Sequence, residues 1–244
     1  QWVLFNLLEF QYTKAIYQSV SHTILEAGSG FENIFIHDLG ILFILCNVSA
    51  LVVQLLLGSR FINSLGIVGS MLLHYFVTFL SLLGLTFSFN FNTAVLTKNN
   101  FGITTVIYNN AYHSSYYILP DRMREYIREF LEGIIRPLGA IIGTFTIIIF
   151  QKFFVGQELI FYVNTLLIVV SAFALYSAFY QRQRYTKLAV DELVSTGAKE
   201  VRINAAEILS QKGHKIPYKV FSQILTDEKE SISVRVGVLK AIVE

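Results

Sequence analysis

The sequence predicts an all-α protein in two parts: a polytopic membrane helical bundle over residues 1–184 and a soluble α-solenoid segment over residues 185–244. Of the 244 residues, 54% are hydrophobic and only 15% are charged, whereas a soluble domain carries about 25% charged residues. Long uncharged runs recur as far as Tyr180, and from Thr186 the composition becomes that of a soluble helical domain. Most of the chain is therefore expected to lie in a membrane, as about six helices.

The first element is an apolar but interrupted segment from Trp2 to about Ile24, which predicts a spanning helix. Glu9 and Lys14 are embedded in it, and ionisable groups at bilayer depth are costly and usually face a cavity or each other. They are the first candidate site residues; the alternative is an interfacial helix whose charges meet water. Because no initiating Met precedes this apolar segment, we expect the first helix to be incomplete and the chain to be a piece of a longer protein.

Two charge-free helices and one polar helix follow. Residues 39–59 carry no charge and can span the roughly 30 Å of bilayer hydrocarbon. Residues 58–60 predict a tight turn into a second span over 61–89. Residues 101–118 are uncharged but rich in hydroxyl, amide and aromatic groups, so we expect this helix to line an aqueous path or a helix interface. Its candidate polar contacts are Asn109, Asn110 and His113.

The stretch 119–149 passes from polar to apolar surroundings. Its first half has the pattern of an amphipathic helix at the membrane surface. Pro137 then opens a new helix, in which Gly139 and Gly143 suit close helix packing. The last two predicted spans are residues 137–151 and 159–180.

The basic residues predict the orientation of these helices. Arg60 and the basic residues of 122–136 and 182–187 fall on one side if every predicted helix crosses once, and Lys98 and Lys152 fall on the other. Since basic residues mark cytoplasmic connections, the C-terminus is expected in the cytoplasm.

Three arginines of the surface helix, Arg122, Arg124 and Arg128, have two possible roles. They either form cytoplasmic ion pairs that hold one conformation closed, or they set topology and contact lipid headgroups.

An internal repeat marks the C-terminal segment. VRINAAEIL at 201–209 and VRVGVLKAI at 234–242 are 33 residues apart, and each follows a shorter helical stretch. Such pairs leave an apolar face that only stacked neighbours cover. The pattern resembles HEAT repeats, so we expect either further repeats after residue 244 or a membrane domain that covers these two, together with a protein partner for the repeat surface.

The membrane segments resemble a known family. LLEFQYTKAI at 7–16, LLLGSRFINSLG at 55–66 and YYILPDRMREYIREFLEGIIRPLGAIIG at 116–143 are similar to stretches of major-facilitator-type carriers of the bacterial and plastid nucleotide (ATP/ADP) translocase family. Some members carry a C-terminal HEAT-repeat domain. The resemblance implies the C-terminal half of a twelve-helix carrier that alternates access around a midplane site.

The resemblance also implies roles for the candidate residues. Glu9 and Lys14, with the amides and histidine of the polar helix, would bind an anionic nucleotide or a similar small solute. Glu9 would neutralise Lys14 in the empty state or carry a coupling proton. The three arginines of the surface helix would gate the cavity.

Other classes of protein are disfavoured. The net charge of +2 does not favour nucleic acid as a partner, and the single Cys46 excludes an internal disulfide and a cysteine-rich metal site. No nucleophile–base pair, metal-ligand spacing or phosphate loop is present, so we expect neither enzymatic activity nor a cofactor. Two functions remain: a multi-pass transporter, expected in a bacterial inner membrane, and a transport-inactive membrane scaffold that holds other proteins through its repeats.

Overall fold

The computed structural model describes residues 2–24, 31–194, 199–210 and 218–243, and these residues are almost entirely helical, with no β-strand among them. A single 3₁₀ turn, Tyr116–Ile118, and a π-helical segment, Leu131–Ile135, interrupt the α-helices. The α-helices are α1 (Trp2–Ile24), α2 (Phe31–Phe87), α3 (Phe91–Ser115), α4 (Asp121–Phe130), α5 (Arg136–Phe153), α6 (Gln157–Val194), α7 (Lys199–Ser210), α8 (Tyr218–Thr226) and α9 (Ile232–Val243).

Helix α2 is a hairpin of two arms that meet at Gly66. The hydroxyl of Ser70 lies 3.4 Å from the carbonyl oxygen of Phe61, whereas a straight helix would separate these residues by about 13 Å. Gly66 has φ 72° and ψ 171°, a backbone conformation that is essentially restricted to glycine. The predicted turn at residues 58–60 is therefore wrong: that segment is helical, and the chain reverses six residues later.

Helix α3 packs antiparallel to the second arm of α2. Asn90 caps its start, because the side-chain oxygen accepts a hydrogen bond from the backbone N–H of Thr93 at 3.0 Å. Farther along, the Thr97 hydroxyl donates to the carbonyl of Ser81 at 3.2 Å. Ile67, at the opposite end of the arm, packs in one cluster with residues from the end of α3.

Helices α1 and α5 lie parallel and close together. A Cβ built on Gly143 would be 3.0 Å from the Cβ of Asn6 and 3.3 Å from the carbonyl oxygen of Val3, so a larger residue would push α1 and α5 apart. The predicted role of Gly143 in close packing is confirmed. Helix α1 in turn buries Leu4, Leu7 and Leu8 in a core shared with α2, α3 and α6.

Three helical stretches are long and apolar enough to cross a membrane: Arg60–Phe87, Met123–Phe153 and Gln157–Val194. Phe43–Leu56 is a shorter apolar helix. The π-helical segment joins α4 to α5 without a break, which makes the second of these stretches longer than the predicted 137–151 span. Only 6% of its most apolar window is buried, compared with 39% and 33% for the other two.

The C-terminal segment stacks helices against the end of α6. The repeat positions Val201, Ala205, Ile208 and Leu209 of α7 are all buried, as are the corresponding Val234 and Val238 of α9. Ile242, which corresponds to Leu209, is exposed. The side chain of residue 241, which corresponds to Ile208, lies outside the described part of the structure.

The N-terminal helical bundle covers the other side of α7. Ile67 and Ile118 of the bundle share one buried cluster with α7 and the end of α6, and the Asn204 amide donates to the Tyr117 carbonyl at 3.1 Å. The N-terminal helices therefore contact α7, and the expectation that a membrane domain covers both repeats stays a prediction.

Candidate functional site

A cavity of about 320 Å³ lies where α3 meets the segment that joins α4 to α5. It is at the end of the bundle that contacts the repeats, since the 3₁₀ turn Tyr116–Ile118 follows its α3 wall directly. The cavity is lined by Tyr75, Tyr108, Asn109, Tyr112, His113, Arg128, Leu131, Glu132 and Arg136.

Tyrosines form one wall of this cavity. Tyr108 and Tyr112 are four residues apart on one face of α3, and Tyr116 continues this spacing into the 3₁₀ turn that follows the helix. The rings of Tyr108 and Tyr112 stack with centroids 5.9 Å apart and planes at 14°, and Tyr116 meets Tyr112 edge-on at 5.0 Å. Tyr75 from α2 extends the row, edge-on to Tyr108 at 5.5 Å. The wall therefore offers aromatic faces and hydroxyl groups to a ligand.

Charged groups form the opposite wall. The Nε of Arg128 donates to Oε1 of Glu132 at 3.2 Å, and Nδ1 of His113 lies 4.0 Å from the same oxygen. Arg136 lines the cavity one further turn along. Two guanidinium groups and one carboxylate thus line the cavity together with the tyrosines, so the arginines outnumber the acidic side chains there.

Three of the residues predicted from the sequence line this cavity, namely Asn109, His113 and Arg128. Asn110 lies on α3 but not among the lining residues; its backbone carbonyl accepts a hydrogen bond from the Ser114 hydroxyl at 2.9 Å.

The predicted gating arginines have separate surroundings. Arg124 binds the connection after α3: its Nε and Nη2 donate to the carbonyls of Tyr116 and Leu119, both at 3.2 Å, and its guanidinium lies 4.9 Å from the ring centroid of Tyr117. Arg124 therefore holds α4 onto the end of α3. The side chain of Arg122 lies outside the described part of the structure.

Glu9 and Lys14 are elsewhere in the bundle. They line a groove of about 470 Å³ between α1 and α5. The carboxylate of Glu9 is bound by Lys98 of α3, at 3.3 and 3.4 Å, rather than by Lys14. Since 15 residues of helix separate Lys98 from His113, about 22 Å along α3 divides this groove from the cavity. The structure does not bring the five predicted substrate residues together.

Lys98 is the residue that reasoning from the sequence missed in this second region. Its ammonium lies 4.2 Å from the ring centroid of Tyr12 and 4.0 Å from that of Phe43, it hydrogen-bonds the Tyr12 hydroxyl, and its side chain is only 13% exposed. The sequence pattern left Lys98 between the predicted helices 61–89 and 101–118, whereas the structure places it within α3. The spacing of Asn90 and Thr93 is that of a capping box and indicates a helix that starts at residue 91, which would have placed Lys98 inside a helix.

The sequence analysis also did not select Tyr75, Glu132 or Arg136. The four-residue spacing of tyrosines in α3 could have indicated the aromatic wall, but nothing local indicates which segment faces it.

The side chains of the cavity offer groups that bind anions and planar rings. Arginine recognises carboxylates and phosphates through charge-assisted hydrogen bonds, and tyrosine faces accept planar rings or cations. Within the described residues, no group of three or more His, Cys, Asp or Glu side chains is placed to hold a metal ion.

No protein-family model, curated protein or solved structure matches the chain. The geometry of the cavity therefore carries the functional argument.

Proposed function

We propose that the protein is a secondary membrane transporter that binds a nucleotide-like or other small anionic solute in the tyrosine–arginine cavity. The observation that carries the proposal is the cavity itself, in which Arg128 and Arg136 face a row of tyrosines across about 320 Å³. This volume is at the lower end of the range of small-molecule sites, which begins near 300 Å³.

The charges on the α4–α5 side favour an anion. Glu132 accepts a single hydrogen bond from Arg128, and both side chains remain substantially exposed. A phosphate or carboxylate can replace Glu132 as the partner of Arg128. It would gain a second hydrogen bond, because a guanidinium group binds such anions in a bidentate arrangement with two parallel N–H···O bonds. The stacked rings of Tyr108 and Tyr112 would then lie within reach of a planar base.

Transport by alternating access is proposed from the resemblance of residues 116–143 to nucleotide translocases, with the chain as one half of the carrier. In such carriers two halves rock around a central site. The repeats would regulate this motion or recruit a partner, because α7 is hydrogen-bonded to the same connection that ends the tyrosine wall. We place the protein in a bacterial inner membrane, with the repeats in the cytoplasm.

Uptake of radiolabelled ADP by the full-length protein in proteoliposomes tests this proposal. We expect saturable uptake that Arg128→Gln reduces at least about tenfold, since a charge-assisted hydrogen bond contributes roughly 1.5–3 kcal/mol. Arg184→Gln is the matched control: Arg184 is an exposed arginine at the same end, bonded to Tyr180 within its own helix. No uptake of ADP, ATP or inorganic phosphate by the wild type would refute the proposal.

One observation favours a second function, that of a scaffold. Ile232, Val236 and Leu239 are exposed and lie on one face of α9, while Val234 and Val238 of the same helix are buried. A helix that is apolar on both faces is suited to a protein partner on the outer one. A transport-inactive protein that co-purifies with stable partners, and loses them in Val236→Glu, would support the scaffold instead.

A further inference from the structure

The groove between α1 and α5 forms a second polar site, separate from the tyrosine–arginine cavity. Its lining residues recur every three or four positions on both helices, as Phe10, Lys14 and Tyr17 on α1 and as Ile147 and Gln151 on α5. Because the two helices run parallel, the groove follows their common direction. Phe10 and Ile147 give the groove an apolar strip beside the Glu9 carboxylate, and one end carries the ammonium of Lys14, the phenol of Tyr17 and the amide of Gln151. That is the form of a site for a molecule with a polar head and an apolar tail.

The charge at this groove is unbalanced. The Lys98 ammonium is committed to Glu9, which also lines the groove, at 3.3 Å. Lys14 lies 5.6 Å from the ring centroid of Phe10, and no carboxylate forms a salt bridge with it in the part of the chain that the structure describes. Glu9 is therefore neutralised by Lys98 and not by Lys14, which favours an anionic ligand at Lys14.

The position of the groove indicates where that ligand comes from. Its polar end lies beside Gln151, close to the connection between α5 and α6. At that connection Phe154 and Tyr162 bring their ring centroids to 4.1 Å, and aromatic residues of this kind gather at the level of lipid headgroups. One flank of the groove is α5, whose outward face is exposed and apolar. A solute from water would meet that surface unfavourably, whereas an acyl chain would not.

We propose that this groove binds one anionic phospholipid, with the headgroup phosphate at Lys14 and an acyl chain along Phe10 and Ile147. Tyr17 and Gln151 stand beside the headgroup, and long basic side chains reach outward in this way at membrane surfaces. The lipid lies between α1 and α5, next to the close contact at Gly143. The site rests on the membrane placement of α5 and not on the transport proposal, because no residue of the tyrosine–arginine cavity takes part.

Native mass spectrometry of the detergent-purified chain, titrated with phosphatidylglycerol or phosphatidylcholine, tests the site. We expect the wild type to retain one phosphatidylglycerol in preference to phosphatidylcholine, and Lys14→Gln to weaken that retention about fivefold, the effect of one basic residue near an anionic lipid. Lys152→Gln is the control, since Lys152 is an exposed lysine of α5 next to Gln151 that does not line the groove; it should change retention less than twofold.

Two further results decide the proposal. Ile147→Trp keeps Lys14 but fills the apolar part of the groove, so we expect it to lower retention of phosphatidylglycerol while Lys14→Arg preserves it. Equal retention of the two lipids by the wild type, or equal losses in Lys14→Gln and Lys152→Gln, would overturn the site. The wild-type comparison decides the question even if a variant does not fold.

Discussion

Two Arg–Glu pairs, one in each part of the molecule, differ in the number of hydrogen bonds, in their lengths and in the exposure of the side chains. Arg202 and Glu230 in the repeats form two hydrogen bonds, at 2.9 and 2.6 Å, with side chains only 14% and 11% exposed. Arg128 and Glu132 at the cavity form one, at 3.2 Å, with side chains 59% and 37% exposed. Exposed pairs contribute about 0–1 kcal/mol, whereas breaking a buried pair costs roughly 3–5 kcal/mol.

The difference separates a pair that holds structure from one that is available to a ligand. Arg202 also donates from Nε to the carbonyl of Leu193 at 2.9 Å, so it joins the end of α6 to α7 and to the turn before α9. Arg128 has no comparable role in joining helices through its pair, because Glu132 is its neighbour one turn along the same helical stretch. The proposed exchange of Glu132 for an anion would therefore break no contact between helices through this pair.

The largest expected effect is that of Arg202→Ala. It leaves the carboxylate of Glu230 and the carbonyl of Leu193 without this partner, so we expect the repeats to lose about 3 kcal/mol of unfolding free energy. Pulse proteolysis of the detergent-purified chain in a urea series measures this loss. Lys229→Ala, an exposed change in the turn next to Glu230, is the control and should cost less than about 0.5 kcal/mol. Similar losses in the two variants would contradict the assignment of Arg202.

A smaller effect is expected from acid. The hydrogen bond from Arg202 holds the pKa of Glu230 below its ordinary value of 4.5. A carboxyl with a lowered folded pKa stabilises the fold above the unfolded value, and this contribution is lost as pH falls through the folded pKa. Thermal unfolding of the repeats should therefore shift to lower temperature as pH falls below 4.5.

The matched variant for the acid experiment is Glu230→Gln. It should start at a lower unfolding temperature at pH 7 and show a weaker dependence on acid than the wild type. An identical dependence in both proteins would show that other carboxyl groups cause the acid sensitivity.

A change in the Arg128–Glu132 pair should alter ligand affinity and leave the unfolding free energy almost unchanged. Glu132→Gln removes the competing carboxylate from Arg128, so ADP should bind up to about tenfold tighter, while the unfolding free energy changes by less than about 0.5 kcal/mol. Calorimetric titration of ADP into the purified full-length protein measures the affinity. Glu129→Gln at the end of α4 changes an exposed carboxyl outside the cavity and should leave the affinity for ADP unchanged. Weaker binding in Glu132→Gln would mean that the carboxylate contacts the ligand directly.

Local patterns in the sequence indicated much of the fold. The helical class, the apolar character of the 61–89 segment and the close approach at Gly143 all depend on short-range spacing, and the structure agrees with each. The turn in α2 was misplaced because residues 58–66 contain two glycines, and either one can end a helix. Only packing of the two arms selects Gly66.

The candidate site was predictable only in part. His113 and Asn109 follow from the polar character of α3, and Arg128 from the basic surface helix. The sequence does not predict that these three residues line one cavity. Their proximity depends on the packing of α4 against the end of α3, which the hydrogen bonds of Arg124 stabilise. The sequence also does not predict the distance of Lys14 from these residues, because that distance depends on the packing of α1 against α5.

The sequence by itself determined the helices, the apolar surfaces and the 33-residue repeat, because each is a matter of composition and spacing within a single segment. Only the tertiary structure decided that Glu9 pairs with Lys98, that Arg128 faces a row of tyrosines, and that the bundle covers α7. The physical reason is that helix formation and amphipathicity are local properties, whereas side-chain partners are chosen by close packing between segments far apart in the chain.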